Sequence, residues 1–410
     1  MNRAMQAIGA TLSDADWLNG RRARVYPRLL LAASVVLALI WIVAARGGVD
    51  LAGKPLGTDF ISFWTASDLT LHGNAAGAYD KDTHLAAEEA LFGPTHGYTA
   101  FFYPPPYLLV CLPLALAPYF VSLIAWLAAT GYAYWRVLRA WAGPRFDGAV
   151  LLAFPAFLVN AGHGQNGFLT AALIGAGALS LDRRPLVAGA LFGALAYKPQ
   201  LALMIPIALI ASRRWTTFAA AAVSAAALCA ASYVIWGEPV WRGFLDASPL
   251  ARAALERHLV GDEKMQSVFA AVRLLHGPLT LAYAAQALTA LAAAAALFWL
   301  QRRDFRGPSE APALIAATLL ASPFLLDYDL TLLGFPLAYL AREGLARGFA
   351  PYEKSVLVLA YLLPLASRIV AGGLDLPIAA PTIAAALYFV VRARRPIPAQ
   401  AAPLIATAES

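Results

Sequence analysis

The fold is decided by residues 103–135, YPPPYLLVCLPLALAPYFVSLIAWLAATGYAYW, which hold no charged residue and end against Arg136 and Arg139. A bilayer core needs about 20 apolar residues in a helix, and this run exceeds that. The prolines up to Pro118 interrupt its first part, so it reads as one net crossing preceded by a broken or re-entrant piece. Arg136, Arg139 and Arg145 place the far end in the cytoplasm, because inner loops carry an excess of positive charge.

The same pattern repeats along the chain. Of 410 residues, 60% are hydrophobic and 13% charged, where a soluble domain carries roughly 25% charged residues. The composition excludes a soluble globule and makes this an all-α polytopic membrane protein. Crossings are expected near 28–46, 147–160, 167–181, 185–197, 200–212, 216–236, 279–301, 311–326, 329–341, 354–371 and 377–391, giving a bundle of about 12. Several are short and are expected to tilt or break. Arg183-Arg184, Arg213-Arg214, Arg302-Arg303-Arg306, Arg342/Arg347 and Arg392/Arg394/Arg395 fall on one side of these segments, which puts both termini inside. The net charge of +7 is spread over those turns and forms no patch, which argues against nucleic-acid binding. Cys111 and Cys229 lie in apolar runs and read as small buried hydrophobes, with no disulfide framework or metal spacing.

Residues 1–27 form a cytoplasmic basic segment with an interfacial helix expected over 11–24. The Leu29–Ala45 run reads as a retained signal anchor in preference to a signal peptide cleaved near Val43-Ala44-Ala45. The membrane domain covers 28–395, with external segments at 51–103 and 237–277 and a cytoplasmic tail over 396–410.

Segment 51–103 is acidic, holding Asp59, Asp68, Asp80, Asp82, Glu88 and Glu89 against Lys54 and Lys81. Within it, GTDFISFWTASDLTLHGNAAGAY (57–79) reads as an amphipathic helix with Phe60, Phe63, Trp64 and Leu71 at helical spacing. Thr58 is expected to cap it and Asp59 to sit in its first turn, where the dipole favours a carboxylate. Taken alone, Asp59 is a helix-start acid without chemistry. Its company argues for more. His163-Gly164-Gln165-Asn166, Lys198 and Asp327-Tyr328-Asp329 all fall on the same outer side, at junctions of apolar segments. A charge near a helix centre costs about 2.5–3.5 kcal/mol, so such residues imply partners or a wet cavity. The alternative is loop ends snorkelling into water.

A carboxylate so placed can act as a general base. Lys198 and the basic residues of the second external segment (Arg252, Arg257, His258, Lys264 and Arg273) can hold a phosphate. Trp64, Tyr79 and Tyr103 suit stacking on a sugar ring. Walker loops, dinucleotide fingerprints, HExxH and Cys/His clusters are absent, which argues against a nucleotide-driven pump or a zinc enzyme.

In order along the chain, TDFISFW, AGAYD, FFYPPPYLL, GHGQNGFLTAAL, AGALFGALAYKPQLALMIP, MQSVFAAVRLL and SPFLLDYDLTLL resemble glycosyltransferase family 87, over residues 25–395. The resemblance implies a GT-C-like membrane transferase that takes a mannose-like sugar from a polyprenyl phosphate. Such enzymes work on the extracytoplasmic side of the inner membrane, here with no cofactor or metal ion. The acidic residue of the first external loop, taken as the family's catalytic base, maps onto Asp59. Lys198 matches the lysine of a KxxP-like segment, here KPQ, and Gln165 the glutamine of a GQ motif. Lys198 and Arg273 are assigned to the donor phosphate. Trp64, Tyr103, His163, Gln165, Asn166, Asp327, Tyr328 and Asp329 are assigned to sugar and acceptor. Where relatives carry an Asp-His-His-like string this chain has Asp327-Tyr328-Asp329, so a histidine contact to donor phosphate does not carry over. The implied reaction is an inverting displacement by the hydroxyl of a lipid or glycan acceptor. Two other readings stand beside it. A secondary transporter would hold its charges near the midplane and usually shows internal repeats. A non-catalytic binder of polyprenyl-linked sugars would tolerate loss of Asp59.

Overall fold

A computed structural model describes residues 2–392 apart from 95, 96, 145, 258, 304 and 305. Arg145, His258, Arg394, Arg395 and the tail over 396–410 therefore lie outside the described residues. Among the described residues the regular structure is helical, with isolated β-bridges and no strand.

The chain opens with α1 (Asn2–Asp14) and α2 (Gly20–Ala44). The interfacial helix expected over 11–24 is thus cut in two. Asn19 is the reason, because its side chain accepts the Arg22 amide and starts a new helix. Arg21, Arg22, Arg24 and Arg28 then ride on the first turns of the helix that carries the apolar run. No residue of α2 is buried over its 25 residues, a length of about 37 Å. An apolar helix so little covered by protein has lipid as its natural neighbour.

The first external segment folds into α3 (Phe60–Leu71), a 3-10 turn and α4 (Lys81–Phe92). The amphipathic helix expected at α3 forms and packs on neighbouring elements, buried on most sides, including Phe60, Ile61, Phe63, Thr65, Ala66 and Ser67. Its aromatic residues pack into Tyr103, Tyr107, Tyr119 and Trp126. The run 103–135 divides into α5 (Pro106–Cys111), a 3-10 turn and α6 (Tyr119–Ala142). It breaks before Pro118, as its prolines require.

Then follow α7 (Gly148–Leu152), α8 (Ala156–His163), α9 (Gly167–Ser180) and α10 (Pro185–Gly193). After a 3-10 turn to Tyr197 come α11 (Pro199–Ala202), α12 (Met204–Ala211) and α13 (Trp215–Glu256). The last part comprises α14 (Val268–Leu274), α15 (Leu279–Arg303), α16 (Glu310–Ala321), α17 (Gly334–Arg347), α18 (Glu353–Leu374) and α19 (Ala379–Arg392). A polar loop was expected from 237. Instead Gly237 (φ 73, ψ −170) bends the chain and helix resumes to Glu256.

Among the described residues, four helices are long and apolar enough to cross a bilayer by themselves: α2, α13, α15 and α18. The bundle of about 12 crossings is not reached by full-length helices; the remaining apolar runs are shorter. The breaks are polar and chemical, falling at 163–166, 197–199 and 322–327, where the candidate site residues stand.

Helix α6 measures the distance between the two ends of the molecule. Near its start Tyr119 donates to the carbonyls of Leu56 and Gly57, beside Asp59, at 3.0 and 3.1 Å. Near its end Trp141 lines a cavity of about 400 Å³ with Arg214, Arg306 and Arg342. The two residues are about 33 Å apart along the helix, close to the roughly 30 Å of a hydrocarbon core. Arginine-bearing turns meet at that far end. Arg214 forks onto Glu310 at 3.1 and 2.7 Å and reaches Asp182 at 2.8 Å, while Arg306 holds the carbonyls of Ser212 and Arg213. The main apolar core lies between the ends.

Candidate active site

Asp59 occupies the residue before α3 (φ −100, ψ −16), and its carboxylate makes no cap bond to that helix. The expected start is therefore shifted by one residue, and Thr58 is not the cap. The Asp59 amide donates to the His163 carbonyl at 2.9 Å, tying the start of α3 to the end of α8. Gly164 ends α8 in a left-handed turn (φ 65). A Cβ there would lie 2.6 Å from Phe60 Cβ and 3.3 Å from Gly57 Cα. Only glycine permits both the backbone angle and the approach. The approach sets Gln165 Nε2 3.1 Å from Asp59 Oδ2. It also leaves the Thr58 hydroxyl 3.3 Å from Asp59 Oδ1 and 2.9 Å from His163 Nδ1.

From Gln165 the network runs inward. Its Oε1 accepts from Tyr103 at 3.2 Å and from the Asn166 amide at 2.8 Å, and its carbonyl accepts from Asn160 at 3.0 Å. Asn166 Oδ1 accepts from Lys198 Nζ at 3.0 Å, and Lys198 donates to Asp329 Oδ1 at 2.6 Å. Lys198 and Asp329 are 3% and 1% exposed, so the pair is sealed. The second oxygen of Asp329 accepts the Leu326 amide, and the Tyr328 ring lies 5.1 Å from the ammonium. Asp327 accepts the Tyr328 amide through Oδ1 at 2.8 Å, with His163 Nε2 at 3.9 Å and Arg368 4.0 Å from Oδ2.

The structure thus brings Asp59, Tyr103, His163, Gln165, Asn166, Lys198, Asp327, Tyr328 and Asp329 into one connected cluster. Two expected members stand elsewhere. Trp64 spends its indole N–H on the Ala117 carbonyl at 3.0 Å and packs on Tyr119 in the aromatic core. Arg273 donates to the Gly277 carbonyl at 2.8 Å, closing the end of its own helix α14. Besides Lys198 on Asp329, the described cations that bear on the acids include Arg368, beside Asp327, and Lys264, whose charge acts on Asp59. Arg368 was not singled out from the sequence. Its signal is an arginine inside the apolar stretch of α18, far from any basic turn.

Burial pushes the Asp59 carboxyl up. His163 and the Gln165 hydrogen bond, with the charge of Lys264, outweigh that and hold it below the ordinary carboxylate range. Burial pushes the His163 imidazole down, and Asp59 and Asp327 more than reverse it, so it sits above its ordinary value. Burial raises Asp327 against the opposing charges of His163 and Arg368. Asp59 remains 29% exposed and ionised, in a position to take a proton from a bound hydroxyl.

A polar cluster with one partly exposed carboxylate, set at one end of an apolar helical bundle, marks a candidate site in a membrane protein. The chain belongs to glycosyltransferase family 87, whose family model matches residues 101–323. It is a membrane glycosyltransferase. The matched region holds Tyr103, His163, Gln165, Asn166, Lys198 and Arg273, while Asp59 precedes it and Asp327 follows it. No curated protein and no solved structure matches the chain.

Proposed function

We propose that the protein moves a hexose, mannose-like, from a polyprenyl-phosphate donor to a lipid or glycan acceptor. The reaction takes place on the extracytoplasmic side of the inner membrane, with inversion and without a metal ion. The observation that carries this reading is the carboxylate of Asp59. It is partly open, uncommitted to its own helix, and anchored by Gln165 at 3.1 Å. Asp59 removes the acceptor proton as the acceptor oxygen attacks the anomeric carbon and the phosphate departs. Lys198 is occupied by Asp329 and Asn166, so it holds the floor of the site together. Arg368 and Lys264 are better placed to meet the charge developing on the leaving phosphate. The arginine turns at the opposite end of α6 support this sidedness, since inner loops carry an excess of positive charge.

The test is incubation of purified protein with a panel of polyprenyl-phosphate sugars, reading donor consumption by mass spectrometry. Asp59→Asn keeps the shape and removes the base. It is expected to lower transfer by about 10²–10⁴-fold, and near wild-type transfer would remove Asp59 from this role.

A further inference from the structure

His163 stands between two carboxylates. Its Nδ1 is 3.8 Å from Asp59 Oδ1 and its Nε2 is 3.9 Å from Asp327 Oδ1, with 17% of the side chain exposed. Neither distance is a direct hydrogen bond. The gap on the Asp59 side is filled by the Thr58 hydroxyl, 2.9 Å from Nδ1 and 3.3 Å from Asp59 Oδ1. A hydroxyl donates and accepts at once, so it can take one proton while giving up another. The groups facing the ring are Asp59 from the start of α3, Asp327 and Tyr328 from the 3-10 segment before α17, and Lys264. Arg368 of α18 lies behind Asp327. Helix α2, which also packs on α8, carries no charge beyond Arg28.

We propose that Thr58 and His163 carry away the proton that Asp59 takes from the acceptor, so that it comes to rest on the imidazole in front of Asp327. The proposal rests on Asp59 being the base. In the transfer step the acceptor O–H proton passes to Asp59 while the acceptor oxygen bonds to the anomeric carbon. The bond from that carbon to the phosphate oxygen breaks, and its electron pair leaves on the phosphate. Asp59 then gives the proton to Thr58 Oγ1 as Thr58 gives its own to His163 Nδ1. The carboxylate is restored, the hydroxyl is unchanged, and the imidazole has become an imidazolium facing Asp327. Ordinary acidity sets the direction, since a carboxyl is a stronger acid than an imidazolium, and the Asp327 carboxylate 3.9 Å from Nε2 further favours the charged ring. A proton moves downhill from the first to the second. Thr58 and His163 act through Asp59 and are positioning residues, so a rate alone does not test them.

The experiment is kcat/KM against pH for the full chain with polyprenyl-phosphate mannose, in wild type, His163→Gln, Thr58→Val and Thr58→Ser. Wild-type activity is expected to fall as pH drops through a value above 6.5, because the imidazole must be neutral to receive a proton. His163→Gln is expected to be about 100-fold slower and to lose that acid limb. Thr58→Val is expected to slow transfer comparably while keeping the limb, and Thr58→Ser to recover most of the loss. An unchanged acid limb in His163→Gln, or wild-type rates in Thr58→Val, would overturn the relay. Asp59→Asn separates the two levels. If it is active, the base reading itself fails; if it is inactive while the limb survives in His163→Gln, the relay alone fails. Should His163→Gln not fold, the two Thr58 variants decide.

Discussion

Lys198 shows how a single residue's neighbours assign its work. It is 3% exposed, 2.6 Å from a carboxylate that is 1% exposed, and 3.0 Å from Asn166. An ammonium so matched has little charge left for a substrate phosphate. Removing it would strand Asp329 in the interior, and breaking such a pair from one side costs about 3–5 kcal/mol. Lys198→Met is therefore expected to lower the thermal midpoint in detergent sharply, and adding Asp329→Asn to recover part of the loss. A raised KM for donor with an unaltered midpoint would instead make Lys198 a phosphate ligand. Lysine and glutamine were both legible as rare polar residues at the ends of apolar runs. Which of them touches Asp59 was not, because that depends on a backbone contact between α3 and α8 that no spacing encodes.

At the scale of elements, the site is made by the junction of α3 and α8, and Gly164 is its hinge pin. Its φ of 65 and the 2.6 Å that a Cβ would leave to Phe60 mean any side chain must push the two helices apart. Gly164→Ala combines backbone strain of about 1–2 kcal/mol with that clash. The bonds it disturbs are those from the Asp59 amide to His163 and from Gln165 to Asp59. Transfer by the folded Gly164→Ala protein is expected to fall by tenfold or more, about 1.4 kcal/mol of transition-state positioning. The check is single-turnover assay on a monodisperse fraction, and full activity there would detach the glycine from the chemistry. Helix α3 makes a related point. Its apolar spacing predicts one packed face, yet the aromatic residues of 101–126 close over most of it, because breaks at Pro113 and Pro118 divide that stretch into α5, a 3-10 turn and α6, each of which meets α3.

For the whole molecule, α6 relates the two ends: Asp59 lies near Tyr119 and the arginine turns near Trp141. The far end is a lattice of ion pairs, with Arg214 gripping Glu310 and Asp182, and the 400 Å³ cavity it lines is nearly balanced in charge. If these ends face opposite sides of a membrane, exposed positions on them should differ in reach. Lys81→Cys on α4 is expected to react with a membrane-impermeant maleimide in intact spheroplasts, and Arg347→Cys on α17 only after permeabilisation. Equal labelling of both would contradict opposite sides for the two ends, and the reverse order would invert the orientation given by the arginine turns.

Composition and patterning by themselves determined that the chain is helical and membrane-bound. They also marked the stations of its rare polar residues, because charge in an apolar run is costly wherever the run ends up. Only tertiary structure decided which of those residues meet. It set Gln165, Thr58 and His163 around Asp59, gave Lys198 to Asp329, sent Trp64 and Arg273 elsewhere and brought Arg368 in from α18. It also replaced full crossings by shorter helices at the polar breaks. Burial cost is a property of a residue and its local run, while a hydrogen bond of 3 Å joins segments more than 100 residues apart, and their approach is settled by packing over the whole bundle.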